Sequence, residues 1–81
     1  MSPFERKSIL ITGASEGIGR ELALQLAAER GRLTLVARNA QRLELLAAEC
    51  RARGAEVLVV PEDVGDEAAA PRIVAATLQR F

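Results

Sequence analysis

The 81 residues contain no histidine, no tyrosine and no tryptophan, and Lys7 is the single lysine. Those absences exclude histidine triads and bases, histidine metal sites and tyrosine proton chemistry. One cysteine, Cys50, allows neither an internal disulfide nor a thiolate cluster for zinc, so a reducing cytoplasm is the expected setting. No apolar run approaches the roughly 20 residues of a membrane span. The opening Met1-Ser2-Pro3-Phe4-Glu5-Arg6-Lys7 is too polar for a signal peptide. Eleven basic and eleven acidic side chains cancel, with a pI near 6.3, which gives no electrostatic case for nucleic acid or an anionic membrane. Any chemistry must therefore come from carboxylates, hydroxyls, arginine, backbone amides or a bound cofactor.

What is present is 49% hydrophobic and patterned as one small α/β domain with a single core. Ser8–Thr12, Leu33–Ala37 and Val57–Val60 are short, continuous apolar runs, as expected of parallel strands covered on both faces. Between the first two, residues 17–30 read as a helix with Leu22, Ala23, Leu26 and Ala27 on its inner face and Gly31 in the position that ends it. Between the second and third, residues 40–53 read as another, with Asn39 as N-cap, Leu43, Leu46, Ala47 and Cys50 as its buried stripe, and Gly54 closing it. Cys50 is thus expected in the core. After a loop over 61–66, residues 68–81 read as a third helix with Ile73, Val74, Thr77, Leu78 and Phe81 inward. Pro71 requires that helix to begin near Ala69 or Ala70, or to kink. Right-handed crossovers order the strands 3-2-1, half of a doubly wound nucleotide-binding sheet.

The chemistry concentrates where the first strand meets the first helix, in Thr12-Gly13-Ala14-Ser15-Glu16-Gly17-Ile18-Gly19. Gly13 lets the chain turn off the strand. Gly17 removes a Cβ where backbone must approach a pyrophosphate, and Gly19 lets the helix pack closely on the sheet. The free amides around Gly17 and Ile18 would face the phosphates at the positive end of the helix. The plain alternative is a tight turn and nothing more; a strand before, a helix after and a second strand some 20 residues on favour nucleotide binding. A GxxxxGK[ST] phosphate loop is excluded, because no lysine follows the second glycine.

The second strand ends in Ala37-Arg38-Asn39 rather than a carboxylate. A carboxylate there would accept from the adenosine ribose hydroxyls and repel a 2′-phosphate, whereas Arg38 can pair with one. The implied preference is NADP(H) over NAD(H), against the alternative of a solvated surface arginine. Glu16 lies near the same pocket with the wrong charge for a phosphate; it either pairs with Arg38 or swings outward. Asp63-Val64, just after the third strand, can serve the adenine amino group and pack its ring, or Asp63 can be a capping or solvated loop residue.

These residues resemble the N-terminal part of the short-chain dehydrogenase/reductase family. Residues 12–19 are similar to its TGxxxGxG cofactor signature, Val36-Ala37-Arg38-Asn39 with Arg42-Leu43 to the second-strand ending of its NADP-preferring members, and Asp63-Val64 to its adenine-contacting aspartate. The resemblance, which runs from Lys7 to Phe81, implies a Rossmann-type three-layer βαβαβα half-domain. By it, Gly13, Ser15, Glu16, Gly17, Ile18 and Gly19 line the pyrophosphate and ribose, Arg38 and Asn39 take the 2′-phosphate, and Asp63 and Val64 the adenine, with NAD remaining possible. Glu16 departs from the basic residue many NADP-preferring members carry before the second glycine.

The family's chemistry uses a serine with a YxxxK pair, and this chain has no tyrosine; Ser8 and Ser15 fall in the first strand and the phosphate turn, so neither matches the catalytic serine. No catalytic residue and no metal ligand is assigned. Against the roughly 250 residues of a complete doubly wound domain, the expectation is residues 1–81 as the N-terminal, cofactor-binding front of one Rossmann domain, truncated relative to the family. The small-molecule substrate would then belong to a full-length parent enzyme. Two alternatives stay open: a non-catalytic dinucleotide-binding or regulatory module, and a structural fragment that pairs its open sheet edge with another copy. A chain of this size with a bare strand edge is also expected to be marginally stable or to associate, for example as a homo-oligomer.

Overall fold

The structure, a computed structural model, describes residues 3–63, 65 and 68–81. Its elements follow the order β1 (Ser8–Thr12), α1 (Gly17–Ala28), β2 (Arg32–Val36), α2 (Ala40–Ala52), β3 (Glu56–Val60) and α3 (Ala69–Arg80). The strands form one parallel sheet in the order β1-β2-β3, the expected 3-2-1 arrangement. The register is flush: Ser8 pairs with Arg32 and Arg32 with Glu56, and at the other end Thr12 pairs with Val36 and Val36 with Val60. All three strands therefore stop at one level, and the loops that follow them leave the sheet side by side.

Side-chain alternation along the strands separates two cores. Ile11, Leu33, Leu35 and Val57 face α1 and α2, where they meet Ala23, Leu26, Ala27, Leu43, Leu46 and Cys50. Val36 and Val60 face the opposite side and pack with Ala69 and Ile73 of α3. The result is three layers with two helices on one face and one on the other. Continuous apolar strands suit β2, which is covered on both faces. For β1 the expectation fails. Its residues alternate, with Leu10 42% exposed, because α3 lies over the β2–β3 side of the sheet and leaves the outer face of β1 bare.

The helices correct the sequence reading in three places. At about 100° per residue, Leu26, Ala23, Ala27 and Leu24 span an arc of about 160°, and all four are buried. Leu22 lies outside that arc and is 46% exposed, so Leu24 takes the place expected of it. At the end of α1 the left-handed residue is Arg30, at φ 61°, not Gly31. Arg30 N–H donates to Ala27 and Gly31 N–H to Leu26, the pattern of a Schellman cap. Gly31 is needed for space: a Cβ there would meet Ile9 Cδ1 and Leu33 Cδ2 at 3.3 Å. In α3, Pro71 sits in the first turn as expected, but Val74 and Leu78 point outward at 52% and 74% exposure. Ala69 and Ile73 are the buried residues of the helix, and Thr77 one turn on reaches Thr34 of β2.

The second helix follows its sequence closely. Asn39 Oδ1 accepts from Arg42 N–H at 3.0 Å as N-cap, the four stripe residues are buried, and Gly54 at φ 105° ends the helix. Among the described residues no helix is long and apolar enough to cross a membrane.

Candidate functional site

Flush strand ends place three loops along one rim of the sheet, and a cleft of about 510 Å³ opens there. Its lining joins Gly13, Ser15 and Glu16 from the first loop, Ala37, Arg38 and Asn39 from the second, and Glu62 and Asp63 from the third. Most residues singled out in the sequence thus converge. Val64 lies outside the described residues.

The first loop is held by its glycines. Gly13 and Gly17 both take φ 63°, a left-handed backbone that side-chain-bearing residues adopt at a cost, and a Cβ on either would meet no atom within 4 Å. Both sites are therefore open for another molecule to come close to the backbone. At Gly19 a Cβ would collide with the Gly13 carbonyl oxygen and approach Ala14 Cα to 3.3 Å, so the missing side chain lets α1 close on the turn that leaves β1. Ala14, which the sequence reading passed over, is fully buried and donates its N–H to the Val36 carbonyl, tying the turn to the end of β2. A small apolar residue between a helix-start glycine and the strand was the available signal.

Glu16 is the N-cap residue of α1 in extended conformation (φ −158°, ψ 168°), yet its side chain caps no amide, and the first turn holds no acidic residue. The amide donors at the positive end of α1 are thus left without a carboxylate. The Glu16 side chain turns across the cleft to Arg42, Oε2 to Nη1 3.1 Å. Neither expected outcome, a pair with Arg38 or a free excursion to solvent, is the one found. Arg42, which the sequence reading quoted within the second-strand ending of NADP-preferring members without giving it a role, lines the cleft from the first turn of α2.

Arg38 is exposed beside the cleft and makes no ion pair among the described residues. Asn39 spends Oδ1 on the helix cap, which leaves its side-chain NH₂ as the group free to donate. Asp63 folds into a local turn, with Oδ1 accepting from Gly65 N–H at 2.9 Å. Glu62 accepts from Arg72 Nε and Nη2 at 3.1 and 2.9 Å, and that hydrogen-bonded guanidinium holds its carboxyl below the ordinary value. The Glu16–Arg42 and Glu62–Arg72 pairs cancel their own charges, so among the described residues Arg38 is the cation of the cleft without an ion pair.

An α/β rim with a glycine turn, an uncapped helix start and one uncompensated arginine has the form of a dinucleotide-binding half-sheet. Comparison with known proteins places it more closely. Residues 7–81 match the family model described as short chain dehydrogenase, and the chain belongs to that family. It is 41% identical over 78 residues to an 11-beta-hydroxysteroid dehydrogenase of Pinus massoniana, covering 95% of this chain and 22% of that protein. Among solved structures it resembles an NAD⁺-bound xylitol dehydrogenase (TM-score 0.92, 34% identity, 99% of this chain and 31% of that one). It also resembles an alcohol dehydrogenase of Thermococcus sibiricus complexed with 5-hydroxy-NADP (TM-score 0.89, 38% identity, 95% and 33%). The chain spans about a quarter of the length of the curated relatives it matches.

Proposed function

We propose that this chain supplies the adenosine and pyrophosphate grip of an NADP(H)-dependent oxidoreductase, as the N-terminal part of one dinucleotide-binding domain. The observation that carries the preference for NADP(H) is Arg38, exposed at the end of β2, lining the cleft and without an ionic partner among the described residues. Relatives of this fold bound to NADP-type and NAD-type cofactors both exist, so the second-strand ending is the discriminating feature.

The residues present fit the group. Open space over Gly13 and Gly17 admits a pyrophosphate, and the uncapped amides of α1 face it. Arg38 and the Asn39 amide would hold a 2′-phosphate, Ser15 and Glu16 would border the ribose, and Asp63 the adenine. When bound, the nicotinamide of the cofactor supplies hydride exchange with a carbonyl or alcohol carbon. The residues of this chain bind and orient; with no tyrosine and only Lys7 among its lysines, none is assigned to move the proton.

Titration with NADPH and NADH tests the reading. Saturable binding with NADPH preferred is expected, and Arg38→Asp should move the preference toward NADH. Binding of neither cofactor, or selectivity unchanged in the variant, overturns it. One observation favours a second property: β1 pairs with β2 on one side, and its other edge, unpaired among the described residues, suits pairing with another strand. Sedimentation across a concentration series tests that association; a monomer at every concentration is evidence against it.

A further inference from the structure

The third loop of the cleft is fastened to α3. Glu62 stands two residues past β3, where its N–H donates to the Val60 carbonyl at 3.0 Å. Its two carboxylate oxygens accept from Nε and Nη2 of Arg72 at 3.1 and 2.9 Å, a two-point contact across ten positions of chain. Exposed ion pairs generally hold weakly, with bidentate arginine–carboxylate geometry as the exception. Glu62, at 28%, is also the least exposed carboxylate in an ion pair among the described residues. Arg72 has a fixed support, because Ala69 and Ile73 on the same helix are buried with Val36 and Val60. Asp63 follows Glu62 and is held from its other side, its Oδ1 accepting from Gly65 N–H at 2.9 Å, while Oδ2 accepts no hydrogen bond among the described residues. Glu62 and Asp63 both line the cleft, and Arg72 is outside its lining.

We infer that Arg72 is a positioning residue for base recognition: through Glu62 it fixes the stretch of chain that carries Asp63, and so holds the Asp63 carboxylate in place for the amino group of the base. This rests on the adenine reading of Asp63 above. A hydrogen bond weakens steeply as it bends, so a carboxylate on an unfastened loop would border the base without telling one base from another. A fastened one discriminates. Adenine offers it an amino donor, whereas hypoxanthine places a carbonyl oxygen at the same position, and two acceptors facing each other repel.

The test is titration with NADPH and with its hypoxanthine analogue, in which a carbonyl oxygen replaces the adenine amino group. The unsubstituted chain is compared with Arg72→Ala and Glu62→Ala, and with Asp63→Ala as reference. The unsubstituted chain should prefer the adenine form about tenfold, the size expected of one hydrogen bond to a charged group. That preference should fall to about twofold in Arg72→Ala and in Glu62→Ala, and vanish in Asp63→Ala. Preference for NADPH over NADH, which Arg38 sets, should stay within about twofold in both Arg72→Ala and Glu62→Ala. Each preference is a ratio within one variant, so a loss of stability alone weakens both ligands and leaves the ratio as it was. An unchanged ratio in either Arg72→Ala or Glu62→Ala therefore reduces the pair to a structural tie and overturns the inference. Equal binding of the adenine and hypoxanthine forms by the unsubstituted chain overturns it too, while a preference for NADPH over NADH would leave the proposed function standing. If the unsubstituted chain binds neither NADPH nor NADH, both fall.

Discussion

The carbonyl oxygen of Gly13 lies close enough to Gly19 to collide with any Cβ there. The turn after β1 and the first turn of α1 are therefore in backbone contact, and the shape of the phosphate-facing loop depends on a missing methyl group six residues away. Gly19→Ala should push the two apart and destabilise the fold by about 1–3 kcal/mol, as overpacking does. Gly17→Ala faces no clash, only a left-handed backbone that costs about 1–2 kcal/mol, but its methyl group would project into the open space of the site. Urea unfolding followed by far-UV circular dichroism should rank Gly19→Ala as the less stable. NADPH titration should show affinity lost in both, and equal stability with intact binding would refute the account.

A hydroxyl relay joins β2 to α3. Thr34, fully buried in β2, has its Oγ1 3.1 Å from that of Thr77, which is also 2.8 Å from the Ile73 carbonyl. Thr77 has one hydroxyl proton; given to Ile73, it leaves Thr34 as the donor between the pair. Thr77→Val then strands a buried hydroxyl and should cost about 1–3 kcal/mol, whereas Thr34→Val leaves Thr77 bound to Ile73 and should cost less than about 1 kcal/mol. Chemical unfolding of the two variants measures the difference; equal costs would show that the proton runs the other way.

Local signals made most of this site readable before its structure. The glycine turn, the Asn39 cap, the stripe Leu43, Leu46, Ala47 and Cys50, and the closing Gly54 each depend on residues within a turn or two of chain. What stayed hidden depends on how helices meet. Leu22 and Leu24 differ in burial only because α1 is wedged between the sheet and α2, so the arc it buries is wider and rotated. Val74 and Leu78 are apolar at helical spacing, yet nothing in the described residues covers that side of α3. The Glu16–Arg42 pair spans 26 positions and exists because α1 and α2 begin beside each other on one rim. Charge at Glu16 was visible in sequence; its partner was a matter of crossing geometry.

The end of α1 offers a stabilising change. Arg30 holds φ 61° at the position where helices favour glycine, and the glycine stands one residue later, against Ile9 and Leu33. Arg30→Gly relieves about 1–2 kcal/mol of backbone strain. Against that stands about 0.5–1 kcal/mol from the added freedom of the unfolded chain. A net gain of about 0.5–1 kcal/mol is expected, read as a higher urea midpoint at unchanged slope. A lower midpoint would mean that packing of the Arg30 side chain near Gly54 outweighs the strain.

Cys50 reports on the core between α1 and α2. It is fully buried, with Sγ 3.7 Å from the Ala23 carbonyl, and burial raises its pKa above the ordinary 9.0, with Glu49 adding to the shift and Arg53 opposing it. The folded state therefore prefers the neutral thiol. The sign follows: the stabilisation is fully present below the ordinary thiol pKa and is lost as pH rises through the raised folded value. At pH 9, where half the thiols of an unfolded chain are ionised, iodoacetamide should leave the native protein almost unlabelled and react readily once urea unfolds it. Cys50→Ala removes the titrating group, so the stability advantage of the unsubstituted chain over this variant should be larger at pH 7 than at pH 10. A gap that stays constant or widens with pH would show that the thiol is not held neutral by the core.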